Sequence, residues 1–173
     1  MPTYELLAAY CSADYRVELP NRNFSIRLGN LSPEIDDLLA ETGKSTWAII
    51  TAENPRSRQL SESENAERRE LLRQRMSEGG DWQVFPAIAV CPRSEWPPEH
   101  GQLVVGIAED EALSLARTFG QYAVVWGRSR GWASLRLTEP ENWRVTLNAG
   151  LEAGEDLVRK VCGDLIVALQ KSL

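Results

Sequence analysis

The sequence predicts an α+β fold, a single domain in which helices cover a mixed, largely antiparallel sheet. Two N-terminal segments, 16–19 and 24–28, alternate apolar and polar residues around a short turn, which is typical of a β-hairpin. The run from Trp47 to Ile50 is continuously apolar, which indicates a strand covered on both faces. Segments with helix-capping signals lie between the strand patterns and predict the helices.

The length favours one domain with an appended segment. At 173 residues the chain is large enough to bury about 70% of its unfolded surface without a disulfide or metal. We assign residues 3–138 to the α+β domain and residues 139–173 to a C-terminal extension.

The first three elements precede the central strand. Residues 3–13 have a helical pattern, and the alternating hairpin strands should lie toward an edge of the sheet, because one of their faces is solvated. A second helix begins at Ser32-Pro33-Glu34, which offers a cap, a first-turn proline and an acid, and it ends at Gly43.

The central strand leads into a polar loop and a capped helix. Pro55 lacks a ladder N–H and restricts Asn54, so strand pairing should stop there. Ser61 and Glu64 fit a capping box, and Gly79-Gly80 ends the helix.

The helix that follows the loop is unusual because its predicted inward face is partly polar. At 100° per residue, Leu71, Leu72 and Met76 share a face with Arg68, while Asn65 lies one turn earlier. Either these polar groups build a site, or they cap the helix and form a buried scaffold network.

The remaining elements follow in order. Pro86 interrupts the apolar strand 82–90 and predicts a bulge or an unpaired edge. A proline-rich loop then carries Trp96, Glu99 and His100. We predict further elements as follows: a strand at 102–106, a helix from 109 to Gly120, a hairpin of 121–126 with 132–138, a short strand at 143–147 and a helix at 151–173.

The last of these segments bears on oligomeric state. Residues 151–173 show a wide apolar stripe that must be covered either by the domain or by a second subunit. The sequence thus predicts a homodimer through this segment as one possibility.

Composition excludes several classes of protein. A net charge of −6 argues against nucleic-acid binding, and no apolar run reaches the roughly 20 residues of a membrane span. The N-terminus lacks the pattern of a secretory signal. Cys11, Cys91 and Cys162 are widely spaced, which is typical of reduced thiols in the cytoplasm. With one histidine, His100, and no ligand cluster, we expect no metal and no cofactor.

The three motifs that carry the polar groups also carry a resemblance. The run ITAENPRSRQLSESENAERRELL, the WPPE of 96–99 and the run ALSLARTFGQYAVVW occur in that order. Together they resemble a bacterial family of uncharacterised activity, domain of unknown function 3293, over about residues 3–137. The resemblance implies these site positions: Asn54-Pro55, Ser57, Glu64-Asn65, Arg68, Trp96, Glu99 and Phe119-Gly120-Gln121. Glu53 departs from the family pattern, and a carboxylate there would weaken an anion site.

Three functions remain open. As a binding module, the chain would use amides from Asn54, Asn65 and Gln121, a clamp from Arg68, and walls from Trp96 and Phe119. As an enzyme, a hydrolase or transferase, it would use Glu64 and Glu99 as an acid/base pair. As a structural or interaction module, it would bury the same polar groups in a scaffold network.

The charges near the loop restrict the type of ligand that we expect. A helix N-terminus with Arg56, Arg58 and Arg68 favours a small polar or anionic molecule, whereas Glu64 and Glu99 oppose a simple anion. An amino-acid-like or nucleotide-like ligand satisfies both conditions. An open cavity among these residues would favour a site, and a closed, mutually satisfied network would favour the scaffold.

Overall fold

Helices and strands follow the predicted chain order. The computed structural model describes residues 4–92 and 96–139. The helices are α1 Tyr4–Ser12, α2 Pro33–Thr42, α3 Glu62–Ser77 and α4 Glu109–Thr118. The strands are β1 Asp14–Glu18, β2 Asn23–Ile26, β3 Thr46–Thr51, β4 Gln83–Val90, β5 Glu99–Val105, β6 Ala123–Arg128 and β7 Ser134–Leu137.

One seven-stranded sheet runs through the described residues in the order β2-β1-β4-β5-β3-β6-β7. The α+β prediction is confirmed, and every pairing in the sheet is antiparallel, so none of the mixed character allowed by the sequence is present there. The N-terminal hairpin lies at one edge, and β3 lies between β5 and β6 as an interior strand.

Helices cover both faces of this sheet. The alternation of β3 explains why, since Trp47 and Ile49 belong to one buried cluster and Ala48 and Ile50 to the other. The first cluster includes apolar residues of α1 and α2, and the second includes apolar residues of α3 and α4. A continuous apolar run therefore marked a strand buried on both sides.

Several strand boundaries differ from the prediction, and two of them bear on the site. β5 begins at Glu99, because Glu99 and His100 extend the pairing with β4 opposite Ala89 and Ile88. β6 begins two residues late, because the Gln121 backbone N–H caps α4 by donating to Ala116 O at 2.8 Å. Glu99 therefore belongs to a strand rather than to the proline-rich loop.

Pro86 lacks a backbone N–H, so it suits a position where one side of β4 is unpaired. Pairing of β1 with β4 ends at Val17 and Ala87, so Pro86 has no partner on β1, while β4 still pairs with β5 at Gln102. The prediction of an unpaired edge is confirmed.

The capping box of α3 is confirmed, but its inward face is narrower than predicted. Asn65, Leu72 and Met76 are buried, whereas Leu71 is 54% exposed. The predicted position of Leu71 on the inward face was therefore wrong. The buried positions, seven and four residues apart, form one narrow stripe on a polar helix.

The topology brings distant segments together at one edge of the sheet. Because neighbouring strands are antiparallel, the end of β3 lies beside the starts of β5 and β6, and the end of β4 lies beside the start of β1. The loop after β3, Glu99 and Gln121 therefore meet there.

The strand predicted at 143–147, and the helix and homodimer interface predicted at 151–173, lie outside the described residues. Within the described ranges, no helix is long and apolar enough to cross a membrane.

Candidate functional site

The loop after β3 is held by hydrogen bonds to its backbone. Gln121 Nε2 donates to Glu53 O at 2.7 Å, and the Asn54 backbone N–H donates to Asn65 Oδ1 at 3.1 Å. Arg56 N donates to Gly120 O at 2.9 Å. Groups from α3 and from the α4–β6 connection therefore fix three successive parts of the loop.

Asn54 is the residue on which this network converges. Its Oδ1 accepts from Asn65 Nδ2 at 3.0 Å and from the Leu60 backbone N–H at 3.0 Å. Its Nδ2 donates to Glu99 Oε1 at 2.8 Å. Since Asn54 is 4% exposed, these bonds replace the water that its amide would otherwise require.

The loop stores backbone strain. Asn54, Arg56 and Ser57 adopt left-handed conformations, with φ values of 47°, 55° and 55°. Residues with a Cβ pay about 1–2 kcal/mol each for this region, asparagine less than most. Gly120 contributes to the fit, because a Cβ there would lie 3.1 Å from Pro55 Cβ. Such strain persists only where the surroundings enforce it.

Glu53 anchors the loop through a buried ion pair. Its side chain is 3% exposed, and Oε1 accepts from Arg69 on α3, which also pairs with the exposed Glu62. Oε2 accepts from the His100 backbone N–H at 3.0 Å. The carboxylate that departs from the family pattern is thus bound to Arg69, and Glu53 does not line the cavity described below.

Arg68 supports the loop from the side of α3 and α4. Its guanidinium donates to the backbone carbonyls of Ala52 and Phe119, and it lies 5.9 Å from the centroid of the Phe119 ring. These contacts occupy the groups that the sequence assigned to a ligand clamp. Arg56 is similarly engaged, because it forms a bidentate pair with Glu139 at 2.9 and 2.7 Å.

A cavity of about 270 Å³ opens beside the loop, between α1 and the sheet. The residues that line it include Leu6, Ala9 and Tyr10 of α1, Tyr15 of β1, Ile49 and Thr51 of β3, and Ala123 and Val125 of β6. Polar groups at the strand ends complete the lining, namely Asn54, Ser57, Glu99 and Gln121. Trp96 also lines it.

Glu99, at the start of β5, is one of two charged residues in the described lining of this cavity, the other being Glu5 of α1. Its Oε1 accepts two hydrogen bonds, from Asn54 Nδ2 at 2.8 Å and from Trp96 Nε1 at 2.9 Å. In the described part of the chain, no group donates to Oε2. One carboxylate oxygen is therefore fixed by the protein, and the other is available to a ligand.

Gln121 and Ser57 add polar atoms to the same lining. Gln121 is 6% exposed, its Nε2 donates to Glu53 O, and its Oε1 receives no hydrogen bond within the described ranges. The Ser57 hydroxyl is half-buried at the cavity wall.

The cavity separates the predicted site residues into two groups. Asn54, Ser57, Trp96, Gln121 and Glu99 line it. The others do not: Asn65, Arg68 and Phe119 lie behind the loop, and Glu64 is exposed at the helix cap, where its carboxylate accepts from Ser61. Of the predicted acid/base pair, Glu99 thus lines the cavity and Glu64 does not.

Sequence reasoning missed Tyr10, Tyr15 and Arg69. A buried carboxylate requires a partner, so Glu53 was the signal that pointed to an arginine on α3. The tyrosines gave no such signal, because aromatic residues on a helix and a strand are typical of any core.

The environment of Glu99 perturbs its titration. Burial raises the pKa of its carboxyl, the hydrogen bonds from Asn54 and Trp96 lower it, and the nearby Glu53 carboxylate raises it further, with a net increase. Because the folded-state pKa lies above the unfolded value, the contribution of Glu99 to stability decreases as pH rises between the two values.

Glu99→Gln is therefore expected to stabilise the ligand-free protein at neutral pH. A glutamine retains an acceptor for Asn54 and Trp96 but removes the buried charge. Urea unfolding of both proteins across acidic and neutral pH should show a smaller pH dependence in the variant. A variant that is less stable than the parent at neutral pH would contradict this prediction.

Among the residues that the structure describes, no three His, Cys, Asp or Glu side chains are grouped so that they could hold a metal ion.

The fold and the site define a class, an antiparallel α+β domain with a tethered polar loop beside a largely apolar cavity. Residues 50–124 match the model of the family described as Protein of unknown function (DUF3293). The chain resembles this family, as its motifs predicted, although the match is narrower than residues 3–137. It includes the loop, α3, Glu99 and Gln121. No curated protein and no solved structure gives a significant match.

Proposed function

We propose that this chain binds a small organic molecule in the cavity between α1 and the sheet, and that the ligand donates a hydrogen bond to Glu99. The observation that carries the proposal is the asymmetry of the Glu99 carboxylate. Its Oε1 accepts from Asn54 and Trp96, while Oε2 has no donor in the described part of the chain. An available charged acceptor in an apolar enclosure is a usual feature of a binding site.

The cavity also bears on the size of the ligand. Its volume of about 270 Å³ lies just below the range of about 300–1,000 Å³ that is typical of small-molecule pockets. An amino-acid-sized molecule fits this space better than a nucleotide. The apolar lining from Ile49, Ala123 and Val125 favours a hydrophobic body on the ligand.

The charges of the described lining favour a ligand that is not an anion. None of the described lining residues is an arginine, lysine or histidine, and Arg56 and Arg68 are engaged elsewhere. An anion would meet Glu99 without a compensating cation.

The hydrogen bonds that support the loop also orient the proposed binding site. The buried Asn54–Asn65 pair and the half-buried Arg68 support the loop through hydrogen bonds, which is the arrangement expected of a scaffold. The same network orients Asn54 so that it holds Glu99 Oε1. Rigid support of this kind lowers the entropic cost of binding. A catalytic role has less support, because Glu64 and Glu99 are not paired.

Blocking the cavity is expected to abolish binding. Ala9 lines the cavity from α1, so Ala9→Leu should fill part of it without weakening the helix, since leucine is a good helix former. The matched control is Ala8→Leu, because Ala8 is the preceding residue of the same helix and is absent from the lining.

The measurement is a thermal-shift panel of neutral, cationic and anionic metabolites. A ligand at a hundredfold excess over its dissociation constant stabilises the protein by about 2.7 kcal/mol. We expect at least one compound to stabilise the parent and Ala8→Leu but not Ala9→Leu. Equal stabilisation of all three proteins, or of none, would overturn the proposal.

A further inference from the structure

The charges around the cavity differ from those at the surface of the loop. The charged residues in its described lining are Glu5 and Glu99. Three arginines near the loop are engaged elsewhere, Arg56 with Glu139, Arg68 with two carbonyls and Arg69 with Glu53 and Glu62, and Arg58 is absent from the lining. The described lining therefore contains acidic side chains and no basic one.

At the loop end of the cavity, the protein uses its side-chain donors internally and leaves acceptor oxygens for a ligand. Asn54 Nδ2 and Trp96 Nε1 donate to Glu99, and Gln121 Nε2 donates to Glu53 O. Glu99 Oε2 and Gln121 Oε1 receive no donor from the described residues, and Gln121 is more than nine-tenths buried. Acceptors without a protein partner can take hydrogen bonds from a ligand or from water.

Aromatic side chains add a second preference for positive charge. Tyr10, Tyr15 and Trp96 line the same cavity as Glu99. Burial raises the pKa of both tyrosine hydroxyls, so they stay neutral and bring no further negative charge. Aromatic rings attract ammonium groups through their quadrupole, more strongly when the cation is desolvated.

From these three features we infer that the ligand is an organic cation, a primary or secondary amine of about the size of an amino acid with an apolar body. The protonated amine donates to Glu99 Oε2 and to Gln121 Oε1, and the apolar body contacts the aromatic and aliphatic lining. This inference rests on the proposed function and specifies the class of molecule that the same cavity binds.

The test uses three probes of similar size that differ in charge: phenethylammonium, phenethyl alcohol and phenylacetate. Isothermal titration calorimetry of the full chain should show that phenethylammonium binds at least about tenfold more tightly than the alcohol. Phenylacetate should bind most weakly, because its carboxylate meets Glu99.

Glu99→Gln provides the matched variant. It keeps an acceptor for Asn54 and Trp96 and loses the charge, so the preference for phenethylammonium over phenethyl alcohol should fall to about twofold or less. Glu18→Gln serves as the second comparison, because Glu18 is exposed on β1 and is absent from the cavity lining. It should retain most of the preference.

The outcomes separate the two proposals. If phenethyl alcohol or phenylacetate binds as tightly as phenethylammonium, the inference of a cationic ligand is overturned while a small-molecule site remains. If the preference survives in Glu99→Gln, the inference is overturned as well. If none of the probes binds and the metabolite panel gives no stabilisation dependent on Ala9, the proposed function is overturned together with this inference.

Discussion

Replacing Arg69 with methionine is expected to lower the free energy of unfolding by about 3 kcal/mol, because the variant leaves the Glu53 carboxylate buried without its cation. The Glu53 side chain is 3% exposed, and its remaining hydrogen-bond donor among the described residues would be the neutral His100 backbone N–H. Arg69 itself is 27% exposed, so we place the loss at the low end of the range measured for buried pairs.

The same substitution at Arg73 is the matched control for Arg69→Met. Arg73 lies one turn further along α3 and pairs with Glu70, and both partners are exposed. Pairs of this kind contribute about 0–1 kcal/mol, so Arg73→Met should unfold at nearly the parental urea concentration. Similar losses at Arg69 and Arg73 would show that the Glu53 contact does not anchor the loop.

Asn65→Ala is expected to destabilise the protein by about 2–4 kcal/mol, because it leaves the Asn54 backbone N–H buried without a partner and removes a donor from Asn54 Oδ1. Both hydrogen bonds join α3 to the strained part of the loop, at 3.1 and 3.0 Å. Asn54 would then hold Glu99 less firmly, so ligand-dependent stabilisation should weaken too.

Gln74→Ala removes an amide from the exposed face of the same helix and is the control for Asn65→Ala. Urea unfolding should separate the two variants, and amide hydrogen exchange should show faster exchange at Asn54 in Asn65→Ala alone. Unchanged protection at Asn54 in that variant would contradict the role assigned to Asn65.

Much of the fold could be predicted because its signals are local. The alternation of 16–19 and 24–28, the apolar run 47–50 and the capping box at Ser61 and Glu64 each depend on neighbouring residues. The boundaries of β5 and β6 could not be predicted in the same way. They depend on pairing with β4 and on the cap that Gln121 provides to α4, which are contacts between distant segments.

The loop was predictable as a polar feature, but its partners were not. A step of one residue turns a helix by 100°, so helical periodicity alone could not assign Arg68 to the carbonyls of Ala52 and Phe119 and Arg69 to Glu53. The cavity depends on α1, which is far from the loop in sequence and meets it through the sheet topology. Tyr10 and Tyr15 therefore gave no sign of their position.

The most direct measurement is a crystal structure of the chain grown with phenethylammonium or phenethyl alcohol, whichever binds more tightly. We expect the molecule between α1 and the sheet, with its donor group within hydrogen-bond distance of Glu99 and its ring against the apolar lining near Ile49 and Val125. A molecule bound elsewhere on the chain, or a cavity that contains solvent alone at saturating probe concentration, would contradict the proposed binding site.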